Sequence, residues 1–314
     1  MLEDNIPPLL PTLLGPLTQI LKSTTQDPTP LLSLTIKLLS PLTFTRLLTV
    51  ADPPTILAAL RSPLSGANLL ALAIIHKAAR TPADAAILST LPEVVEELVR
   101  RWLEAADVGV GERASRVLGD LFQVDCEVVE TQPVNGTDGT TGSELVRRQV
   151  PGHGRLWKMI LDTNEFLSLI VSLCSPSDDR TERQVSLSQG RLLRLLPRLA
   201  TLNIRAITQS NLPRLLPVSV AGAANGLLQW AAFTMVDKSD ILMHLSLIDF
   251  FETLISVMRV SGNAVREKDD LLKSLIRDAT RNDAELKAAI TTLPDRTVEE
   301  EAEPLRQYIT KLLN

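Results

Sequence analysis

The sequence predicts an all-α chain, a HEAT/armadillo-like α-solenoid of stacked helix pairs, and three observations carry that prediction. Apolar residues recur at helical spacing through most of the chain. Only ten aromatic residues occur (six Phe, three Trp, one Tyr), whereas sheet folds draw on aromatic and β-branched residues. The stretch Pro92–Cys126 reads as two amphipathic helices. Val94, Val95, Leu98, Val99, Trp102 and Leu103 form the stripe of the first, and Ala114, Val117, Leu118, Leu121 and Phe122 that of the second. Glu96–Arg100 and Glu97–Arg101 place acid before base at i,i+4 on what reads as the exposed face, and Asp107, Gly109 and Gly111 read as the turn. Neither helix buries its stripe alone, so each pair needs neighbouring pairs, which is the logic of a helical repeat array.

In chain order, Leu9, Leu10, Leu13, Leu14, Leu17, Ile20 and Leu21 keep a helical period behind Pro7–Pro8 and suit a terminal cap. Leu31–Leu39 is apolar nearly all round, and Pro41, Pro53–Pro54 and Pro63 punctuate short helices after it. Leu69–Ile75 and Ala83–Ser89 precede the central pair. Residues 127–142, with glycines at 136, 139 and 142, and residues 175–186 read as mobile loops. Arg155–Leu161 and Phe166–Cys174 are helical, with Asp162-x-x-Glu165 as a capping arrangement. Gln189–Leu202, interrupted by Pro197, and Leu215–Val236 follow. Asp240 caps a long helix with the stripe Leu247, Ile248, Phe251, Leu254, Ile255 and Met258, stopped at Gly262–Asn263. Leu271–Ala279 and a last helix with the capping box Thr297-x-x-Glu300 finish the chain. Residues 1–314 thus read as a single domain of about twelve to fifteen helices, in units of about 40 residues.

A chain of 314 residues that is 45% hydrophobic buries a sizeable core. Its net charge of −5 argues against general binding to nucleic acid or anionic membrane. Cys126 and Cys174 fit reduced, buried thiols. The start MLEDNIPPLL lacks the positive segment of a secretory signal, so cytoplasm, with the nucleus as a second address, is expected. Leu215–Val236 raises a transmembrane question, but Pro217, Asn225 and Gln229 favour a buried helix, and no membrane association is expected.

The residues offer no convergent chemistry. His76 and His244 read as packed histidines and His153 as a turn residue; no metal-ligand spacing, nucleophile elbow or phosphate loop occurs. Asp178–Asp179 and Asp269–Asp270 read as solvated pairs. No catalytic residue, cofactor or metal is therefore expected, and the chain reads as a non-enzyme. One charge feature is distinctive. From Arg183 to Val236 no Asp or Glu occurs, yet Arg183, Arg191, Arg194, Arg198, Arg205 and Arg214 do. Arg191, Arg194 and Arg198 fall at i, i+3 and i+7 on one helix face. With Arg205 they form a candidate docking ridge for an acidic protein partner; the alternative is pairing with acids of neighbouring repeats.

GERASRVLGDLFQVDC (Gly111–Cys126) and GHGRLWKMILDTNEFLSLIVSLCS (Gly152–Ser175) resemble fungal members of the proteasome base-assembly chaperones, the 26S proteasome non-ATPase regulatory subunit five family, whose fungal members often carry a mismatch-repair label. The resemblance spans residues 93–175 and carries no catalytic signature. It implies a curved HEAT-like solenoid that holds the C-terminal domain of one AAA ATPase subunit while the regulatory-particle base assembles; a capped solenoid reads as monomeric when free. Members of that family usually run longer than this chain. Two other readings fit the fold. A peptide-binding transport adaptor calls for a ladder of Trp and Asn, for which Trp102, Trp157 and Trp230 are too few. A mismatch-repair accessory calls for a broad basic surface, which the net charge opposes.

Overall fold

Every described element is helical: fifteen α-helices with short 3-10 and π turns, and no strand among the described residues. The structure, a computed structural model, describes residues 29–127, 151–218, 225–261 and 265–313. The expected helix at Leu9–Leu21, most of the loop at 127–142 and the stop at Gly262–Asn263 lie outside the described residues. Packing divides the chain after Asp125 into two compact units, where the sequence reads as one.

The N-terminal unit holds α1 (Thr29–Leu38), α2 (Phe44–Val50), α3 (Pro53–Arg61), α4 (Ser65–Ile75, running into a 3-10 turn at His76–Arg80), α5 (Pro82–Leu88), α6 (Pro92–Glu104) and α7 (Val108–Val124). Several prolines are helix starters: Pro53–Pro54 of α3, Pro82 of α5 and Pro92 of α6 lie in the first turn, where a missing N–H costs nothing, whereas Pro41 and Pro63 lie in the connections before α2 and α4. Asp52, Thr81 and Asp107 cap α3, α5 and α7, accepting backbone N–H groups of Thr55, Asp84 and Val110 at 3.0, 3.1 and 3.0 Å. Because Asp107 is the cap, Gly109 and Gly111 belong to the first turn of α7 and not to the connecting turn. Helix α3 packs on α4, α6 on α7, α3 on α6 and α4 on α7, so two helix pairs lie layer on layer. Leu60, Ile75, Leu98, Leu103 and Leu118 fill the space between them. The buried Asn68 amide donates to the carbonyls of Ala59 and Leu60 at 2.9 and 2.8 Å, satisfying the C-terminal end of α3.

The second unit holds α8 (Arg155–Asp162), α9 (Asn164–Cys174), α10 (Glu182–Thr208), α11 (Leu227–Trp230, running into a π turn at Ala231–Met235), α12 (Ile241–Val260), α13 (Val265–Thr280), α14 (Ala284–Thr292, followed by a 3-10 turn at Leu293–Arg296) and α15 (Glu299–Leu313). Four sequence expectations change here. Asp162 ends α8 instead of capping α9, and the hydroxyl of Thr163 donates back to the Met159 carbonyl at 2.6 Å. The loop expected at 175–186 ends at Thr181, because Thr181 and Gln184 form a capping box that starts α10. Of the single helix expected over Leu215–Val236, helical structure covers Leu227–Met235 among the described residues. Thr297 does not cap α15; its hydroxyl donates to the Leu293 carbonyl at 2.9 Å and closes the preceding 3-10 turn.

Helix α12 is the spine of this unit, packing on α10, α14 and α15. Leu247, Phe251, Leu254, Ile255 and Met258 of the expected stripe are buried, with Ile248 at its margin. Asp240 caps it as expected, accepting the N–H groups of Leu242 and Met243. By length and composition α12 is the one described helix able to cross a bilayer, with a mean hydropathy of 1.7. Here its charged residues reach neighbouring elements: Glu252 accepts from Arg296 at 2.6 Å, and Arg259 donates to Glu301 at 2.7 Å. The buried Lys268 ammonium donates to the carbonyls of Met258 and Ser261, both at 2.6 Å, and so closes the C-terminus of α12. Asp269 is likewise buried, not solvated as its pairing with Asp270 had implied. It accepts from Tyr308 at 3.0 Å and Lys311 at 2.5 Å.

Candidate functional site

The candidate site is built on α10, the acid-poor helix that carries the arginines. Its start is fixed by the capping box, in which the Thr181 hydroxyl oxygen accepts the Gln184 N–H and the Gln184 side chain accepts the Thr181 N–H. Leu192, Leu193, Leu195, Leu196 and Leu199 are buried, and α9, α11 and α12 pack against the helix. Pro197 lies within it, and Asn203 leaves helical geometry at φ −156° and ψ 85°, where its side-chain oxygen accepts the Ala206 N–H and restarts the last turn.

This packing changes the arginine ridge. Arg191 is only 4% exposed and is no part of an accessible surface. Arg194 is exposed, Arg198 half-buried, and Arg205 exposed beyond the break at Asn203. The spacing of Arg191, Arg194 and Arg198 does place them on one arc. Packing of α9, α11 and α12 around α10 leaves solvent only part of that arc, so one edge of the ridge is interior. All four arginines engage in hydrogen-bond or electrostatic contacts within the chain.

Beside Arg194 runs a groove between α10 and α12 with a volume of about 390 Å³. Leu193 and Pro197 form one wall, and Leu242, Leu245 and Phe250 the other, with Arg194 and Asp249 contributing one charge of each sign. Gly190 also lines it, and a Cβ there would meet nothing within 4 Å. Ile241, Leu242 and Leu245, on the first turns of α12, are 76%, 75% and 55% exposed. Leu242 and Leu245 line this mixed polar and apolar groove, and with Ile241 in the same turns they leave large apolar side chains in water, the pattern of a binding surface. Sequence reasoning missed them because it read the buried stripe of α12 from Leu247 onward. The signal was there: Ile241, Leu242 and Leu245 extend the apolar run beyond what one buried face accounts for.

The histidines divide. His76 bridges Arg113 and Asp120, with Nδ1 at 3.2 Å from the Arg113 guanidinium and Nε2 at 2.6 Å from the Asp120 carboxylate. His244, expected to pack in the core, instead meets Asp283 at 3.0 Å, and Asp283 also accepts from Lys238 at 2.8 Å. His153 is exposed in the segment before α8. Among the described residues no three His, Cys, Asp or Glu side chains gather as a metal site would require. Neither a protein-family model nor a curated protein matches the chain.

Proposed function

We propose that the chain is a non-enzymatic, HEAT/armadillo-like scaffold that holds a protein partner in the groove between α10 and α12. The observation that carries this reading is the exposure of Leu242 and Leu245 over a groove that pairs the apolar side chains of Leu193, Pro197 and Phe250 with the charged Arg194. Such a site takes the apolar face of a partner helix, with an acidic side chain directed at Arg194. The layered pairs α3–α4 and α6–α7 support the helical-repeat reading, since repeats of this kind present a continuous face to a partner.

The partner we propose is an AAA ATPase subunit of the proteasome regulatory particle, bound through its C-terminal domain during assembly of the base, in the cytoplasm or nucleus, by a free chain that is monomeric. Support for that identity is the resemblance at Gly111–Cys126 and Gly152–Ser175. The test is affinity capture with tagged full-length protein from its own cell lysate, followed by mass spectrometry. Enrichment of one proteasomal ATPase without the proteolytic core supports the proposal. Enrichment of mismatch-repair proteins or chromatin instead overturns it.

A further inference from the structure

The N-terminal unit contains a second cavity, of about 470 Å³, that the scaffold reading does not use. Its apolar wall includes Leu39 and Leu47, and its polar wall carries Lys77, Arg80, Arg113 and the His76–Asp120 pair. The 3-10 turn after α4 brings Lys77 and Arg80 to one side, and α7 supplies Arg113 and Asp120 from the other.

The hydrogen bonds decide the charge of this wall. A guanidinium can only donate, so the Arg113 contact at 3.2 Å makes His76 Nδ1 an acceptor. His76 is then neutral, with its proton on Nε2 donated to Asp120 at 2.6 Å. Lys77 and Arg80 both donate to one neutral acceptor, the Ser40 carbonyl, at 2.5 and 3.3 Å. Among the described residues, none of these three cations makes an ion pair. Three cations and one carboxylate leave the wall two positive charges in excess. Burial, and then Arg80, hold the Lys77 ammonium below the ordinary lysine range. Burial, and then Arg116, do the same to Arg113, offset in part by Asp120. Like charges crowded at a half-buried wall are stabilised by an arriving anion.

We propose that this cavity binds a small phosphate monoester with an apolar body, the phosphate seated on Lys77, Arg80 and Arg113 and the body against Leu39 and Leu47. A phosphate monoester carries close to two negative charges at neutral pH and three acceptor oxygens, which matches the excess; a single carboxylate leaves one cation unmatched. The cavity volume falls in the range that encloses a small organic ligand.

The test is calorimetric titration of the full-length chain with phenyl phosphate, benzoate and inorganic phosphate. The expected result is saturable one-site binding of phenyl phosphate, with benzoate, which keeps the body, and inorganic phosphate, which keeps the head, each weaker by about tenfold or more. Lys77→Met and Arg80→Met each lose about tenfold in affinity for phenyl phosphate, whereas Lys287→Gln, an exposed cation of the other unit, binds as the parent does. Absence of saturable phenyl phosphate binding to the parent chain overturns the proposal. So does equal affinity for benzoate or for inorganic phosphate, or undiminished binding in both cation variants.

Discussion

Glu97 accepts a hydrogen bond from Arg61 at 3.1 Å, joining α6 to α3 across the layer between two helix pairs, although Glu97 itself is only 4% exposed. The same carboxylate accepts from Arg101 at 2.9 Å. A residue whose spacing marks it for the solvated face of a helix is thus a buried tie between neighbouring pairs. Glu97→Ala leaves Arg61 and Arg101 without it. Because both cations keep some access to water, the expected loss is about 1–2 kcal/mol, read by urea denaturation of the variant against the parent. Arg101→Ala and Arg61→Ala, which each remove one of two donors, cost less than Glu97→Ala.

Acid destabilises the second unit through Asp283. Burial pushes its carboxyl up, but hydrogen bonds from Lys238, the Leu286 N–H and His244 outweigh burial and hold it below the ordinary value of 3.8. A carboxyl whose folded value is depressed contributes stability that is complete above its unfolded value and is lost as pH falls through the folded one. Asp283→Asn therefore lowers stability near neutral pH and reduces its decline from about pH 4 downward. Thermal melts at stepped pH check this, and parallel curves for variant and parent contradict it.

Two glycines respond to alanine with opposite signs. A Cβ on Gly226 would lie 2.3 Å from the backbone carbonyl carbon of Thr208, the last residue of α10, so Gly226→Ala forces the two segments apart and costs about 2 kcal/mol or more. Gly190, inside α10, faces open space, and Gly190→Ala gains up to about 1 kcal/mol from helix propensity. Melting temperatures of the two variants separate in those directions.

The thiols are shielded. Burial pushes Cys174 up to about 12, and the Cys126 thiol lies buried 3.5 Å from the Leu202 carbonyl. Since the thiolate is the reactive form, a disulfide-exchange reagent at pH 8 labels neither cysteine at an appreciable rate in the folded chain and both on unfolding. Stoichiometric labelling of the native protein contradicts the burial.

What was legible in the sequence was amphipathic period, and what was not was the identity of neighbours. Helices α6 and α7 emerge from spacing alone because their stripes and polar faces separate cleanly. The long helix α12 and its Asp240 cap follow from equally local signals. Residues that act across the chain escaped. Asp269 depends on Tyr308 and Lys311, Lys268 on the end of α12, and Glu97 on Arg61, and no local pattern marks such pairs. The capping box that starts α10, Thr181-x-x-Gln184, was legible but lay hidden in a polar run that resembles a loop. The arginine spacing on α10 marks an arc, yet periodicity does not say which part of an arc neighbouring helices cover. Arg191 is inside for that reason. For Leu242 and Leu245 the same limit runs in reverse: the sequence shows an apolar run wider than one buried face, and only the packing shows that these two stay exposed.

The groove between α10 and α12 carries the functional account, and affinity for the C-terminal domains of the proteasomal ATPases tests it most directly. Calorimetry would compare the parent chain with Gly190→Leu, which fills the groove from α10, and with Leu242→Asp/Leu245→Asp, which places charge on its lip. The parent is expected to bind one of these domains, and both variants to bind it about thirtyfold or more weaker, while melting temperatures stay at or above the parent's for Gly190→Leu and close to it for the double variant. Parental affinity in both variants, or no binding of any ATPase domain by the parent chain, contradicts the account.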